Sequence, residues 1–367
     1  MMRPATTARW ATGGAALALA CAAGFGTAQA ATMTVAHPSF PVLSNVPYAP
    51  LAGVSAASAT NAWAVGRDDG SVLTEHWNGS SWTQVGIPAG PCDVFESSCQ
   101  FTGVSTDAAG DAVAVGNAVL NDNGWVPAAL AYQWSAGAWH AMTVPSSINY
   151  MSLAHVKVFS AANALAVGAG SGSSGNFAVV THWDGTAWTQ TATPFTFTLG
   201  LTINAISATS PGDVWIGGKQ QSSGYHNRVV HSVLEHFNGS AWSDITLPDD
   251  SGVLDVAAAS PTSVWVLTGD GSVLNWNGSA WSVSAAFNGG KALVAVSATD
   301  VWVGGIFVNS TLSVAHYNGS SWTTASAPAG IDSITSGAAL PTGSFWFAGL
   351  QWPPNGDTAP AVLAGNG

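Results

Sequence analysis

The sequence predicts an all-β fold, a seven-bladed β-propeller of four-stranded blades. A short apolar motif recurs seven times along the 367-residue chain, and an Asn-Gly or Asp-Gly hairpin signal follows five of its copies. Repeats of roughly 40–50 residues that each contain several short strands are typical of propeller blades. The composition agrees with a repetitive scaffold, because 42 Gly and 18 Trp accompany only 7% charged residues.

The first motif is Asn, Asp or Ser followed by a short apolar strand. From Trp63 to Trp346 the chain runs 283 residues over six repeats, which gives 47 residues per repeat. The seven copies lie at 61–66, 111–116, 163–168, 213–218, 263–267, 300–305 and 344–349. Small and β-branched residues precede each copy, as at 51–56 and 203–208, and predict an innermost strand at the crowded centre of the ring.

A second motif, His-Trp-Asn-Gly-Ser-Ser-Trp in its first copy at 76–82, predicts a hairpin between the two outer strands. Asn-Gly between apolar segments favours a type I′ turn, which needs positive φ at both central residues. In that turn Trp77 would pair with Ser80 and lie diagonally across from Trp82. We interpret the repeated Trp residues as core, and the repeated His76, His182, His236 and His316 as scaffold.

The predicted blades are 51–88, 101–145, 153–194, 202–248, 253–286, 291–328 and 333–367. The last blade lacks an outer strand. Segment 39–47 imitates one, with Phe40 in the Trp position. We therefore expect an N-terminal strand to complete blade 7 and close the ring, which removes an open sheet edge.

The first 30 residues predict a signal peptide, because Arg3 and Arg9 precede an apolar run that ends in an A-x-A site at 28–30. Cleavage after Ala30 would leave 31–367 as a single secreted domain, with lipidation of Cys21 as an open alternative. The apolar run is too short for a membrane span, which needs about 20 residues.

Cys92 and Cys99 would be the two cysteines of the mature chain. We expect them to form a disulfide in an exported protein. A formal charge of −12 with only 7 Lys and Arg argues against nucleic-acid binding. We expect a monomer without a cofactor.

The repeat resembles the Kelch-type propeller repeat, which also occurs in the central domain of galactose oxidases. That pattern is an apolar strand, a Gly doublet, an aromatic residue, then Trp and Pro. Blades 4 and 6 match it with Gly217, Gly218, Phe237, Trp242 and Pro248, and with Gly304, Gly305, Tyr317, Trp322 and Pro328. The other blades carry a single Gly. Segment 184–188 has a weaker likeness to the Asp-box of sialidase-type propellers, without its usual spacer. Neither oxidase nor sialidase chemistry is carried over.

Candidate functional residues are those that the repeat does not require, on the face formed by the loops between blades and between second and third strands. Blade 3 has His155 and Lys157 where blade 1 has Gly53 and Ser55, and Tyr150 lies in the loop before them. Blade 4 has a long polar insert that contains Lys219, Tyr225, His226, Arg228 and His231. We expect the two groups to be neighbours near the mouth of the central channel.

Three interpretations of this cluster stay open. Cations could bind an anionic ligand. A Tyr or His base with Arg and Lys neutralising a uronate could also make the protein a polysaccharide lyase. The third interpretation is structural, with Lys157 filling the channel and the insert forming a solvated loop.

Trp125 and Trp352 lie outside the repeat positions, in inserts on the same face. They could stack on sugar rings or anchor their own loops. Acidic groups at 67–70, 92–96, 121–123 and 249–250 and at Asp270 could serve a glycosidase or bind structural Ca²⁺. They lack ligand spacing, so we interpret them as turn residues and predict no metal site.

The combined prediction is a secreted, non-catalytic recognition module whose ligand is a glycan or cell-surface polymer. The alternatives are a polysaccharide-active enzyme, lyase or glycosidase, and a protein-binding scaffold. The fold alone does not decide between them.

Overall fold

The computed structural model describes residues 34–35, 50–68, 70–88, 98–121, 125–145, 152–172, 175–191, 200–221, 229–340, 343–351 and 359–366. These residues form seven four-stranded antiparallel sheets, and the described part of the chain contains no helix. The predicted seven-bladed β-propeller is confirmed.

The 28 strands follow the repeat. Blade 1 contains β2 (Leu51–Ser58), β3 (Asn61–Asp68), β4 (Ser71–Trp77) and β5 (Trp82–Gln84). Blade 2 contains β6 (Ser98–Thr106), β7 (Ala112–Asn121), β8 (Trp125–Ser135) and β9 (Ala138–Ala141). Blade 3 contains β10 (Ser152–Ser160), β11 (Asn163–Gly172), β12 (Gly175–Trp183) and β13 (Trp188–Gln190). Blade 4 contains β14 (Leu201–Ser210), β15 (Asp213–Gln221), β16 (Val230–Phe237) and β17 (Trp242–Asp244).

Blade 5 contains β18 (Val253–Ser260), β19 (Ser263–Thr268), β20 (Ser272–Trp276) and β21 (Trp281–Ala286). Blade 6 contains β22 (Gly289–Ser297), β23 (Asp300–Val308), β24 (Thr311–Tyr317) and β25 (Trp322–Ser326). Blade 7 contains β26 (Ile331–Ala339), β27 (Ser344–Gln351), β28 (Ala359–Asn366) and, outermost, β1 (Thr34–Val35).

The ring is closed by the N-terminal strand, as expected. Thr34 pairs with Ala364 and Val35 pairs with Leu363, so β1 supplies the fourth strand of blade 7. The closing strand lies upstream of the segment that the sequence favoured. Residues 39–47 lie outside the described residues.

The hairpin at the second motif differs from the expected type I′ turn. Trp77 pairs directly with Trp82, and their rings lie 5.8 Å apart. The loop has four residues, and the Asn78 side-chain oxygen accepts the N–H groups of Ser80 and Ser81. The expectation was wrong because Asn78 uses its side chain to hold the loop, so that only Gly79 needs positive φ.

The apolar core lies between neighbouring blades. Trp residues on second strands pack against outer-strand Trp residues of the next blade: Trp63 on Trp139 at 4.7 Å, Trp215 on Trp281 at 5.9 Å, and Trp265 on Trp322 at 6.1 Å. The edge-on geometry is favourable for aromatic pairs. Interleaving of the blades through these rings explains the high Trp content.

The repeated His residues belong to this scaffold. His236 stacks on Trp215 with ring centroids 4.0 Å apart, and its Nε2 donates to Asp213 Oδ1 at 2.7 Å. His76 and His182 donate in the same way to Asn61 and Asn163. The motif therefore begins with Asn or Asp because an oxygen at that position holds the imidazole.

Candidate functional site

The innermost strands β2, β6, β10, β14, β18, β22 and β26 surround a central channel that contains a cavity of about 340 Å³. Ala, Gly, Ser and Thr form much of its wall, which leaves room at the centre of the ring. The few large polar side chains in this wall therefore determine what the channel can bind.

His155 lies at the same strand position as Gly53 and Asp255. Each is the first residue after an irregularity in the pairing of the innermost strand with the second strand. Blade 3 therefore places an imidazole, and blade 5 a carboxylate, where blade 1 has no side chain. Burial lowers the pKa of His155 to about 4, so its imidazole is neutral at pH 7.

Lys157 takes a position that serine occupies in three other blades. Ser55 Oγ accepts the Thr106 N–H at 2.9 Å, Ser105 Oγ accepts the Val158 N–H at 3.0 Å, and Ser207 Oγ accepts the Ala258 N–H at 2.9 Å. These three serines therefore link blade 1 to blade 2, blade 2 to blade 3, and blade 4 to blade 5 through hydrogen bonds. Blade 3 replaces this link with a lysine that lines the cavity.

Lys157 lies deeper than the sequence suggested. It is the sixth residue of the nine-residue β10, so it belongs to the wall of the channel and not to its mouth. Burial lowers the pKa of its ammonium. Within the described ranges, Lys157 forms no ion pair with a carboxylate.

Asp255 is a channel residue that the sequence analysis missed. Its Oδ1 accepts the Val256 N–H at 2.8 Å, and its Oδ2 accepts the Leu293 N–H of blade 6 at 2.7 Å. Burial outweighs these two hydrogen bonds and raises its pKa to about 7. The available signal was an acidic residue within an innermost strand otherwise made of apolar and small residues.

The residue that precedes the strand position of His155 and Asp255 also has different roles in different blades. Thr102 donates to the Leu153 carbonyl at 2.9 Å, Asn204 to the Val253 carbonyl at 2.7 Å, and Thr335 to the Leu51 carbonyl at 2.9 Å. All three link neighbouring blades. Lys291, near the same position in blade 6, instead faces the cavity with an exposed side chain.

The two blade 4 candidates that the structure describes do not belong to the channel wall. Neither Lys219 nor His231 lines the cavity. His231 Nδ1 donates to Asp250 Oδ2 at 2.7 Å in an exposed ion pair. Tyr150, Tyr225, His226, Arg228 and Trp352 lie outside the described residues. Trp125 is the first residue of β8 and pairs with Asn121.

The candidate acidic residues Asp249 and Asp270 stabilise turns with their carboxylates. Asp249 Oδ1 accepts the Ser251 N–H at 2.8 Å, and Asp270 Oδ1 accepts the Ser272 N–H at 2.9 Å. Within the described ranges, no group of three or more His, Cys, Asp or Glu residues could hold a metal ion. Among those residues there is also no helix able to span a membrane.

Cys99 is buried at the start of β6, and its N–H donates to the Gly70 carbonyl at 2.7 Å. Cys92 lies outside the described residues. The Cys92–Cys99 disulfide therefore stays a prediction.

No family model matches this chain, and no curated protein matches it. The solved structure of YCF48 bound to a D1 peptide is similar, with a TM-score of 0.57 at 12% identity, covering 90% of this chain and 98% of that chain. YCF48 from Cyanidioschyzon merolae gives 0.56 at 11% identity, covering 89% and 98%. The WD40 propeller domain of Doa1 gives 0.56 at 10% identity, covering 88% and 96%.

These similarities show the fold alone. The chain is a seven-bladed β-propeller, and the Kelch-like and Asp-box resemblances are not confirmed by any family match. A closed ring with a walled central channel fits a binding or scaffold module.

Proposed function

We propose that the protein is a secreted, non-catalytic recognition module for an acidic glycan or cell-surface polymer. The observation that carries this proposal is Lys157, a cation in the channel wall where other blades place a structural serine. An anionic group of the ligand enters the channel and pairs with this ammonium.

Burying an ammonium without a counter-charge costs free energy. A ligand carboxylate or sulfate would supply the missing charge, and the neutral His155 beside it could donate a hydrogen bond. Lys291 adds a second positive charge to the same cavity.

The uncharged part of the ligand would lie on the loop face. Trp125 and Trp352 are the proposed stacking surfaces for sugar rings, and Lys219, Tyr225 and Arg228 are the proposed polar contacts there. Export through cleavage after Ala30 and a Cys92–Cys99 disulfide belong to the same proposal, because a glycan or surface polymer is met outside the cell.

A glycan array that contains neutral and uronate- or sulfate-bearing polymers tests this proposal with the mature chain. We expect retention of acidic polymers, and at least a tenfold loss of affinity in Lys157→Ser. Serine restores the side chain of the other blades and removes a buried charge, so the variant should melt at or above the wild-type temperature. Arg67→Ser removes one positive charge from blade 1 and should leave binding unchanged.

Two outcomes would overturn the proposal. Release of ultraviolet-absorbing unsaturated sugars from uronate polymers would indicate a lyase, with the neutral His155 among the candidate bases. Absence of any glycan retention would favour the protein-binding scaffold. The similar structure of YCF48 was solved with a D1 peptide bound.

A further inference from the structure

Second-strand tryptophans share an environment in blades 4 and 6, whereas the Nε1 of Trp63 in blade 1 has no hydrogen-bond partner within the described residues. In blade 4, Trp215 stacks on His236 at 4.0 Å and donates from Nε1 to Asp213 Oδ1 at 3.2 Å. The edge of Trp281 from the next blade lies 5.9 Å away. The indole thus has three partners: an imidazole face, an oxygen acceptor and the edge of a second indole.

Blade 6 repeats the first two contacts. Trp302 stacks on His316 at 3.9 Å with an interplanar angle of 9°, and its Nε1 donates to Asp300 Oδ1 at 2.7 Å. In each blade the same carboxylate oxygen also accepts the His Nε2–H. One oxygen can accept two donors because it has two lone pairs.

Blade 3 keeps these partners and lacks the indole. His182 Nε2 donates to Asn163 Oδ1 at 3.1 Å, but Leu165 takes the position of Trp215. A cavity of about 430 Å³ opens beside Leu165, between blades 3 and 4. Its wall contains Asn163 and His182 on one side and Trp242 of blade 4 on the other.

Blade 2 also lacks the indole, but its surroundings differ from those in blade 3. Blade 2 has Val113 at the same position, and there Met142 and Val144 pack against the interface cluster that contains Val113. Gln133 replaces the histidine and donates to the Ala161 carbonyl at 2.8 Å. Blade 2 has therefore lost the imidazole partner as well as the indole, and blade 3 has lost only the indole.

We propose that the cleft between blades 3 and 4 binds a small indole-type ligand. The ring of the ligand lies on His182 and against Trp242, and its N–H donates to the second lone pair of Asn163 Oδ1. Phe159, Pro211 and Phe237 supply the apolar remainder of the wall. A volume of about 430 Å³ is in the range of small-molecule sites, roughly 300–1,000 Å³. This site is separate from the channel and does not depend on the proposed function.

The test is ¹⁹F NMR titration of the mature chain with 5-fluoroindole, followed by competition with indole and 1-methylindole. We expect saturable binding, with 1-methylindole roughly three- to tenfold weaker because it cannot donate a hydrogen bond. Leu165→Trp places the missing ring in the cleft, so it should abolish binding. The matched control Val113→Leu changes the same strand position in blade 2 and should bind as the wild type does.

A second variant keeps the proposal testable if Leu165→Trp fails to fold. Asn163→Ala removes the acceptor, so the preference for indole over 1-methylindole should disappear. The proposal is overturned if 5-fluoroindole shows no saturable binding at millimolar concentration. It is also overturned if folded Leu165→Trp binds as tightly as the wild type.

Discussion

Glu75 is the direct β-sheet partner of Ala64, and its side chain is fully buried. Its strand neighbours Leu73 and Trp77 belong to the core between blades 1 and 7. Neither carboxylate oxygen has a hydrogen-bond partner within the described residues. The seam at which the ring closes therefore contains an ionisable group in apolar surroundings.

This burial predicts a pH-dependent stability. Burial raises the pKa of Glu75 to about 7, and the pKa values of Glu235 and Asp255 are also raised to about 7. Between their ordinary values near 4 and pH 7 the folded state binds more protons than the unfolded state, so stability falls as pH rises. We expect the melting temperature to be highest near pH 4 and to decrease as the pH rises to about 7.

The variant Glu75→Gln isolates one contribution to this slope. It removes the cost of ionising a buried carboxyl, so at pH 8 it should be more stable than the wild type by on the order of 2 kcal/mol. Near pH 4 the two proteins should melt alike. Asp332→Asn, at an exposed carboxyl, should not change the slope, and an equal slope in Glu75→Gln would contradict the assignment.

The shared acceptor of blade 4 should be important for stability. Asp213 accepts hydrogen bonds from His236, Trp215 and Thr209. Asp213→Ala leaves these donors without a partner, so we expect a loss of about 2–3 kcal/mol in the free energy of unfolding. Asp213→Asn keeps an oxygen, as Asn61 and Asn163 do in other blades, and should lose less. Urea titration measures both, and equal losses would count against the shared-acceptor role.

Close approach of the innermost strand explains why the first motif ends in glycine. A Cβ atom at Gly168 would overlap the Ser152 carbonyl oxygen of the innermost strand, where the pairing is irregular. We expect Gly168→Ala to destabilise the protein by about 3 kcal/mol through overpacking. At Gly86 a Cβ would meet nothing within 4 Å, so Gly86→Ala is the matched control. Thermal melting should separate the two variants clearly.

Ring closure can be tested by truncation. Removing residues 31–49 from the mature chain takes away β1, which pairs with β28 in blade 7. Without β1 the edge of β28 is exposed. We therefore expect a lower melting temperature and association between copies of the chain. Size-exclusion chromatography and thermal melting measure both effects. A monomer with the wild-type melting curve would show that β1 adds no stability.

The sequence was sufficient for the architecture because each repeat carries its own strand and turn signals. The number of blades and the innermost strands follow from Trp, Gly and Asn at fixed spacings. The incomplete seventh repeat predicted N-terminal closure, but segment 39–47 was expected where Thr34–Val35 pair with β28. The turn type did not follow, because Asn78 can hold a loop with its side chain instead of adopting positive φ. Propensity rules rank turn types without deciding which polar groups bond to each other.

The candidate sites were harder to predict than the fold. Lys157 and His155 stood out because they break the repeat, and Asp255 could have been found by the same comparison. The cleft beside Leu165 could not, because Val113 is an equally clear departure at the same position. What distinguishes the two is side-chain packing, with Met142 and Val144 of blade 2 packed against the cluster that contains Val113, and a single sequence does not specify such packing.

The pairing of β1 with β28 also affects how the chain is made. Strand β1 is synthesised early, but its partner strand β28 is complete only when residues 359–366 have been made. Until those residues have been made, the ring cannot close at this edge of blade 7. Closure is a late event that makes the stability of every blade depend on both ends of the chain.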